Sequence, residues 1–317
     1  MAKISALKIQ HSLKNYSQTK KSILTIGTFD GVHYGHQKIL NKLVQSAKKC
    51  NCESVVLTFF PHPQIFLNAN SAIKMLNTID EKADLLQKLN LDTLIIHPFD
   101  KEFSELSAED FIEQIVVKKL NVQKIIIGHD HRFGKNRSAS FDDLVIFGQK
   151  YNFEVEQISV EELNNVAISS TKIRNAIVNN NFEIAAKYLG YTYFFSGTVV
   201  HGKKLGRTIN FPTANINVAE SYKLIPNSGV YVVQCQLINT TNVFGMMNIG
   251  MRPTVNGTSQ TIEVHLFDFD DDIYNQQIKI SVLHYLRAEQ KFISVQDLQQ
   301  QLKADKKESF LFLNKFS

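Results

Sequence analysis

Two hydrophobic periods divide this chain, and the division limits its possible folds more than any other feature. Up to about residue 187, short apolar runs alternate with helical patterns; beyond it, strand-like runs follow one another with little but turns between them. The first set comprises "SILTIG" (22–27), "SVVLTFF" (54–60), "TLIIH" (93–97), "KIIIG" (124–128) and "FEVEQI" (153–158). Over 35–50, Ile39, Leu40, Leu43, Val44 and Ala47 recur at helix spacing, and over 107–120 Ser107 and Asp110 open a helix in capping-box style. Strand, helix, strand in this order predicts βαβ units and a parallel sheet covered on both faces. Ligands of such sheets sit at the carboxyl ends of the strands.

The second set, "FFSGTVV", "GVYVVQCQLI", "VFGMMNIG", "TIEVHLF" and "IKISVLHYL", is split by Gly, Asn, Pro and Asp turns. It predicts a compact antiparallel barrel or sandwich, with an amphipathic helix from about Ser294 to Phe312 on its outside. The boundary falls at "KYLGYTY", giving domains of residues 1–186 and 187–317. The fold class is therefore α/β: a doubly wound parallel-sheet domain, then an antiparallel β-barrel domain with a terminal helix.

With 317 residues the chain can fill two cores without covalent staples. Cys50, Cys52 and Cys235 match no zinc spacing and read as reduced packing thiols. No long uncharged apolar run occurs, and Lys3 and Lys8 interrupt the start, so neither secretion nor membrane insertion is expected, and the protein reads as cytoplasmic. A net charge of +5 suits an anionic ligand, but no Lys/Arg run is dense enough for nucleic acid. Monomer or weak homo-oligomer is the expected state.

Chemistry first concentrates in "TIGTFDGVHYGHQKIL" (25–40), at the hand-over from strand to helix. Gly27 ends a buried strand, and Gly31 and Gly35 let backbone approach a ligand closely. The helix start offers free N–H groups and a positive dipole end. His33 and His36, three apart across that turn, can both donate to phosphate oxygens as charge develops in a transition state. A metal fits less well, for want of a third ligand. The plain alternative, that the pair only caps the helix, is disfavoured by the glycines and the location. "ISSTKIR" (168–174) offers hydroxyls and a guanidinium at a second helix start, either an anion site or an N-cap.

His33-Tyr34-Gly35-His36 matches the HxGH signature of the nucleotidylyltransferase superfamily, and "GTFDGVHYGHQ" resembles its flavin-specific version. "LTFFPHP" (57–63), "IGHDHRFGKNR" (127–137) and "ISSTKIR" resemble that family's second loop, flavin-side loop and triphosphate element. The resemblance implies a Rossmann-like domain in which His33 and His36 act on ATP phosphates. Gly27, Phe29 and Gly35 would border ATP, and Ser170, Thr171 and Arg174 would hold the leaving pyrophosphate. Phe59, Pro61, Asp130 and Arg132 would face the flavin. His131 and Ser138-Ala139 depart from the family pattern in the flavin-side loop.

The second concentration is "SGTVVHGKKLGRTINFPTAN" (196–215), where Gly197, Gly202 and Gly206 with Lys203, Lys204 and Arg207 make a loop suited to covering phosphates. It is no Walker A motif. In "FPTAN", Thr213 and Asn215 lie two apart on one face of an extended strand, and their oxygens can share Mg²⁺ with nucleotide phosphates. An Asx or Ser/Thr turn is the alternative. Glu263 is a lone carboxylate among Ile262, Val264 and Leu266, and alternation puts it with His265 on a polar face predicted to look into a cleft. The acidic run Asp268 to Asp272 reads as a solvated turn, not a metal cage.

"NIGMRPTVNG" (248–257), "TIEVHLFDFDDDIY" (261–274) and "YLRAEQKF" (285–292) follow in the order found in riboflavin kinases. From about residue 10 to its end the chain thus resembles the bacterial bifunctional riboflavin kinase/FMN adenylyltransferases. That resemblance implies Glu263 as the general base, Gly202, Lys203, Gly206, Thr213 and Asn215 at Mg·ATP, and Arg252 and Arg287 at the flavin end. It implies riboflavin, FMN, FAD and ATP as substrates or products. Asn210 stands before "FPTAN" where Gly is common, and Asn tolerates the positive φ such a turn needs. Two rivals remain: an HxGH transferase with another acceptor, whose barrel only binds, and a non-catalytic flavin carrier.

Overall fold

The computed structural model describes residues 6–14, 16–68, 72–129, 131–159, 168–202, 205–237, 242–254 and 257–316. By contacts, the chain forms two compact units, Met1–Met75 with Ile79–Ser169, and Leu76–Thr78 with Ser170–Ser317.

The first unit runs β1 (Lys8–Gln10), β2 (Ser22–Ile26), α1 (Tyr34–Lys49), β3 (Glu53–Phe60), α2 (Pro63–Leu67), α3 (Ile79–Lys88), β4 (Thr93–Pro98), α4 (Lys101–Ser104), α5 (Ala108–Phe111), β5 (Val122–Gly128), α6 (Phe141–Tyr151) and β6 (Glu154–Ile158). The six strands form one parallel sheet in the order β1-β4-β3-β2-β5-β6. The pleat sends alternate residues to opposite layers. Leu24, Val55, Leu57, Ile125 and Ile127 pack on one side with the segment around Phe111–Leu120, while Ile23, Val56, Leu94 and Ile126 pack on the other with α1 and α3. The sheet is thus doubly wound. Ser107 caps α5, its Oγ accepting from Asp110 N at 3.0 Å, and the helix continues over Ile112–Val117 in π-helical form. β2 is central, with β3 on one side and β5 on the other, so the topological switch lies at its carboxyl end.

The second unit contains α7 (Ser170–Val178), α8 (Phe182–Leu189), β7 (Phe194–Val200), β8 (Ala214–Asn217), β9 (Gly229–Leu237), β10 (Val243–Thr254), β11 (Gly257–Leu266), β12 (Gln277–Arg287) and α9 (Val295–Phe316). The strands close into an antiparallel barrel in the order β10-β11-β8-β7-β12-β9. Ser294 starts α9, accepting from Asp297 N at 3.1 Å, and Leu313 packs with Phe211, Val232, Met246 and Phe267. α7 and α8 belong to this unit: Tyr231 Oη donates to Asn180 Oδ1 (3.2 Å), Asn227 Nδ2 to Val178 O (2.8 Å), and the Phe182 ring meets Tyr231 edge-on. Lys223, 3% exposed, donates to the carbonyls of Leu76 (2.6 Å) and Phe194 (2.8 Å).

The cysteines are free. Cys52 and Cys235 are packing thiols as expected; Cys50 is exposed, because it follows the last turn of α1.

Candidate functional site

The first cluster forms where β2 ends. Gly27 N–H donates to Leu57 O (3.1 Å), and the chain then turns through Phe29 (φ 45°), Gly31 (φ 83°) and Val32 (φ 35°). Positive φ at a β-branched valine is a strained backbone that surrounding structure must impose. Val32 N–H closes the turn on Phe29 O at 3.1 Å, and the Phe29 ring meets His36 edge-on at 5.1 Å.

His33 is the N-cap of α1, and its Nδ1 accepts from His36 N–H at 3.4 Å. The capping alternative is therefore part of the geometry, and it engages Nδ1 of the imidazole. With Nδ1 accepting, the proton of a neutral His33 sits on Nε2. The two rings stack, centroids 3.6 Å apart and planes 17° from parallel. Burial first, then the charges of His33 and Lys82, hold His36 well below the usual imidazole range. His36 Nδ1 is buried and has no hydrogen-bond partner among the described residues, a cost that a ligand contact can remove.

The loops that flank this turn carry the expected flavin-side residues. Phe59 packs against Phe99 (5.7 Å) and Phe103 (5.2 Å), and Pro61 lies exposed beyond a cis Phe60–Pro61 bond. Arg132 is exposed on the loop after β5; Asp130 lies outside the described residues. Ala139, where the family pattern is departed from, is buried and bridges Phe133. Two buried charges here were not anticipated: Asp30 (1% exposed) in the turn and Lys82 (4%) on α3.

Ser170, Thr171 and Arg174 occupy the first turns of α7, in the second unit; Thr171 is exposed.

In the barrel, β11 lies between β8 and β10, so Glu263 faces Asn215 on one side and Asn248 on the other. Arg252 Nη2 lies 3.5 Å from Glu263 Oε1, and Thr213 Oγ1 donates to Oε2 at 3.5 Å. Each carboxylate oxygen thus has its own neighbour. A Cβ on Gly202 would collide with the Asn215 carboxamide, and one on Gly206 with the Phe211 carbonyl oxygen, so the loop folds directly onto "FPTAN". Asn210 has φ 61°, the conformation expected of a residue in that place. Lys203 and Lys204, and the side chain of Arg207, lie outside the described residues. A cavity of about 460 Å³ adjoins Thr213, lined also by Val199, Pro212, Val264 and Tyr274. Asp270, Asp271 and Asp272 are exposed at its rim, and no His/Cys/Asp/Glu group among the described residues is arranged to hold a metal.

Two expectations change. His265 does not look into a cleft: it is 8% exposed, lies near Phe211 (5.1 Å) and Phe267 (5.8 Å), and its Nδ1–H donates to Pro212 O at 2.8 Å. Near α9, the His265 end of the face it shares with Glu263 becomes core, while Glu263 keeps 30% of its side chain exposed. Burial lowers its basicity. Arg287 presents no free fork to a ligand. Its Nε and Nη2 donate to Asp305 at 2.8 and 2.7 Å, and Nη1 to Ala288 O at 3.0 Å. Asp305, 1% exposed on α9, also accepts from Gln301 (2.9 Å). Nothing in the run "QLKADKKES" distinguishes Asp305 from a solvated charge.

Residues 15–172 match the FAD synthetase family model and residues 189–313 the riboflavin kinase model. The bifunctional riboflavin kinase/FMN adenylyltransferase of Haemophilus influenzae is 40% identical over 291 residues, 92% of this chain and 94% of that relative. The Escherichia coli K12 protein of the same name is 36% identical over 301 residues, 94% and 96% respectively. A solved structure described as a macrolide-efflux protein from Streptococcus pneumoniae superposes with a TM-score of 0.86 at 31% identity, over 96% of this chain and 99% of that one. Among the described residues no helix is long and apolar enough to cross a membrane.

Proposed function

This chain belongs to the bifunctional riboflavin kinase/FMN adenylyltransferase family, and from that premise we propose how its residues divide the two reactions. Residues 187–317 transfer the γ-phosphoryl group of ATP to riboflavin, giving FMN and ADP. Residues 1–186 join the AMP part of a second ATP to FMN, giving FAD and pyrophosphate.

In the kinase step, Glu263 accepts the proton of the ribityl 5′-hydroxyl as its oxygen attacks the γ-phosphorus. Arg252 and Thr213, one near each carboxylate oxygen, orient it. A hydroxyl and a carboxamide oxygen beside Glu263, with backbone packed close at Gly202, suit a hard cation that also takes phosphate oxygens and water. Thr213 and Asn215 would hold Mg²⁺, which neutralises phosphate charge when bound. Lys203, Gly202 and Gly206 cover the phosphates, and Arg252 reaches toward the flavin end. Arg287 contributes there by holding α9.

In the adenylyl step, an FMN phosphate oxygen attacks the α-phosphorus of ATP, and the bond to the β-phosphate bridging oxygen breaks. His33 and His36 donate N–H to the phosphate oxygens on which charge accumulates, aided by the start of α1. Gly27, Phe29 and Gly35 border the nucleotide; Ser170, Thr171 and Arg174 take the pyrophosphate; Phe59, Pro61, Asp130 and Arg132 receive the flavin.

The stacked, capped histidine pair at the end of β2 is the observation that carries this reading most directly. It is tested by incubating the full chain with riboflavin, ATP and Mg²⁺ and separating the flavins. FMN followed by FAD supports it. FMN alone leaves a kinase, and unchanged but tightly bound riboflavin leaves a carrier.

A further inference from the structure

Lys82 sits in "IDEKADLLQK", a stretch that reads as a solvated helix face. Instead it is 4% exposed, and its Nζ donates to the Thr28 carbonyl at 2.7 Å. Asp30, 1% exposed, supplies the nearby opposite charge. The Thr28 carbonyl and the Asp30 charge both belong to the turn that runs through Phe29 and Val32 into His33. That turn keeps two non-glycine residues at positive φ, so it needs an external hold. Burying an ammonium costs several kcal/mol, and a methionine could fill the same space without that cost. The charge therefore has a use at this turn.

We propose that Lys82 is a positioning residue for adenylyl transfer: its ammonium pins the Thr28–Asp30 turn, and its positive charge beside His36 keeps that ring neutral, so that His36 offers a donor in a fixed direction. The proposal rests on the adenylyltransferase reading above. The stack itself argues that the two rings are not charged together, because two imidazolium rings 3.6 Å apart would repel strongly.

The facing groups give the pH dependence its sign. His36 faces His33 at the cap of α1 and Lys82 on α3; Lys82 faces Asp30 in the turn. His36 protonates only well below the usual imidazole range, and Lys82 is one of the causes. Removing that charge raises the His36 pKa, so the acid limb of adenylyl transfer moves to higher pH. Burial lowers Lys82 itself to about 8, against the pull of Asp30. As pH rises through that value the ammonium is lost, the turn is released, and the rate falls. Lys82→Met lacks this alkaline limb, and Asp30→Asn moves it to lower pH.

The experiment uses the full chain: FAD formation from supplied FMN and ATP across pH, with histidine ring titration by NMR on the ligand-free protein. Lys82→Met is expected to lose roughly 10²-fold in adenylyl turnover, the scale of a misplaced catalytic group. Its riboflavin phosphorylation should stay at the parental rate, and its His36 titration should move up. Parental turnover, an unmoved acid limb and an unmoved His36 titration overturn the proposal. Should Lys82→Met fail to fold, Asp30→Asn decides: an alkaline limb that stays in place refutes the role of Lys82. A parent that makes no FAD from FMN refutes the functional reading instead, and the ring titration still judges the effect of Lys82.

Discussion

Replacing Glu263 by Gln isolates proton acceptance from everything else at the barrel site. The carboxamide keeps the shape and the oxygen that Thr213 reaches at 3.5 Å. It loses the charge paired with Arg252, a loose contact at 3.5 Å in which Arg252 is 46% exposed and Glu263 30%. Solvent-screened pairs of this kind contribute about 0–1 kcal/mol, so the melting transition should hardly move. A positioned general base is worth about 10²–10⁴-fold. At about 1.36 kcal/mol per decade, that is roughly 2.7–5.4 kcal/mol on the barrier. The catalytic effect thus exceeds the stability effect several-fold, and a loss of turnover cannot be blamed on unfolding. The assay is FMN production from riboflavin and ATP, with FAD production from supplied FMN as the internal control. Expected are near-parental binding of both kinase substrates, collapsed phosphorylation and untouched adenylylation. Near-parental FMN production by a folded Glu263→Gln protein would show that the base lies elsewhere.

His36→Ala should lower FAD formation about 10²–10³-fold while FMN formation continues; His33→Ala should do the same and also cost about 0.5–2 kcal/mol through the lost cap, read as a lower melting temperature. Either variant making FAD at the parental rate would leave the pair as helix caps alone. Asp305→Ala strands the largely buried Arg287 guanidinium and should destabilise the barrel unit by about 3–5 kcal/mol, measured by denaturant unfolding; a loss under about 1 kcal/mol would mean that α9 is held by its apolar face instead. A fragment beginning at Ser170 should unfold at higher denaturant than one beginning at Lys187, because only the longer one keeps the Asn180–Tyr231 and Val178–Asn227 bonds and the Phe182 ring contact; equal midpoints would deny α7 and α8 any stabilising role.

What could be read from sequence was what repeats or pairs locally. The period change gave both architectures, and Ser107 with Asp110 marked a helix start that is present. Asn210 showed its turn conformation through its own backbone tolerance. The three residues of β1 are too few to display a period, and its pairing with β4 depends on a strand 85 residues later. The π-helical stretch at Ile112–Val117 keeps a helix-like spacing of Ile112, Ile115 and Val116, so its altered pitch leaves no mark on the sequence. Long-range burial was the main blind spot. Lys82, Asp305 and His265 look like surface or cleft residues in sequence, and each is buried because a distant element covers it. Alternation correctly grouped His265 with Glu263, but only α9, arriving near the end of the chain, turns half of that face into core.

Lys223 sets a clock on synthesis. Its ammonium satisfies the carbonyl of Leu76, which was made 147 residues earlier. At about 5–20 residues per second, a ribosome leaves that acceptor waiting for roughly 7 to 30 seconds. Once the segment around Leu76–Thr78 leaves the tunnel it lacks the Lys223 donor until that residue is made, and it is open to proteases and chaperones. A stalled or prematurely ended chain never closes the contact at all. Degradation of incomplete products is then expected to begin near residue 76, however well the strands on either side have already paired.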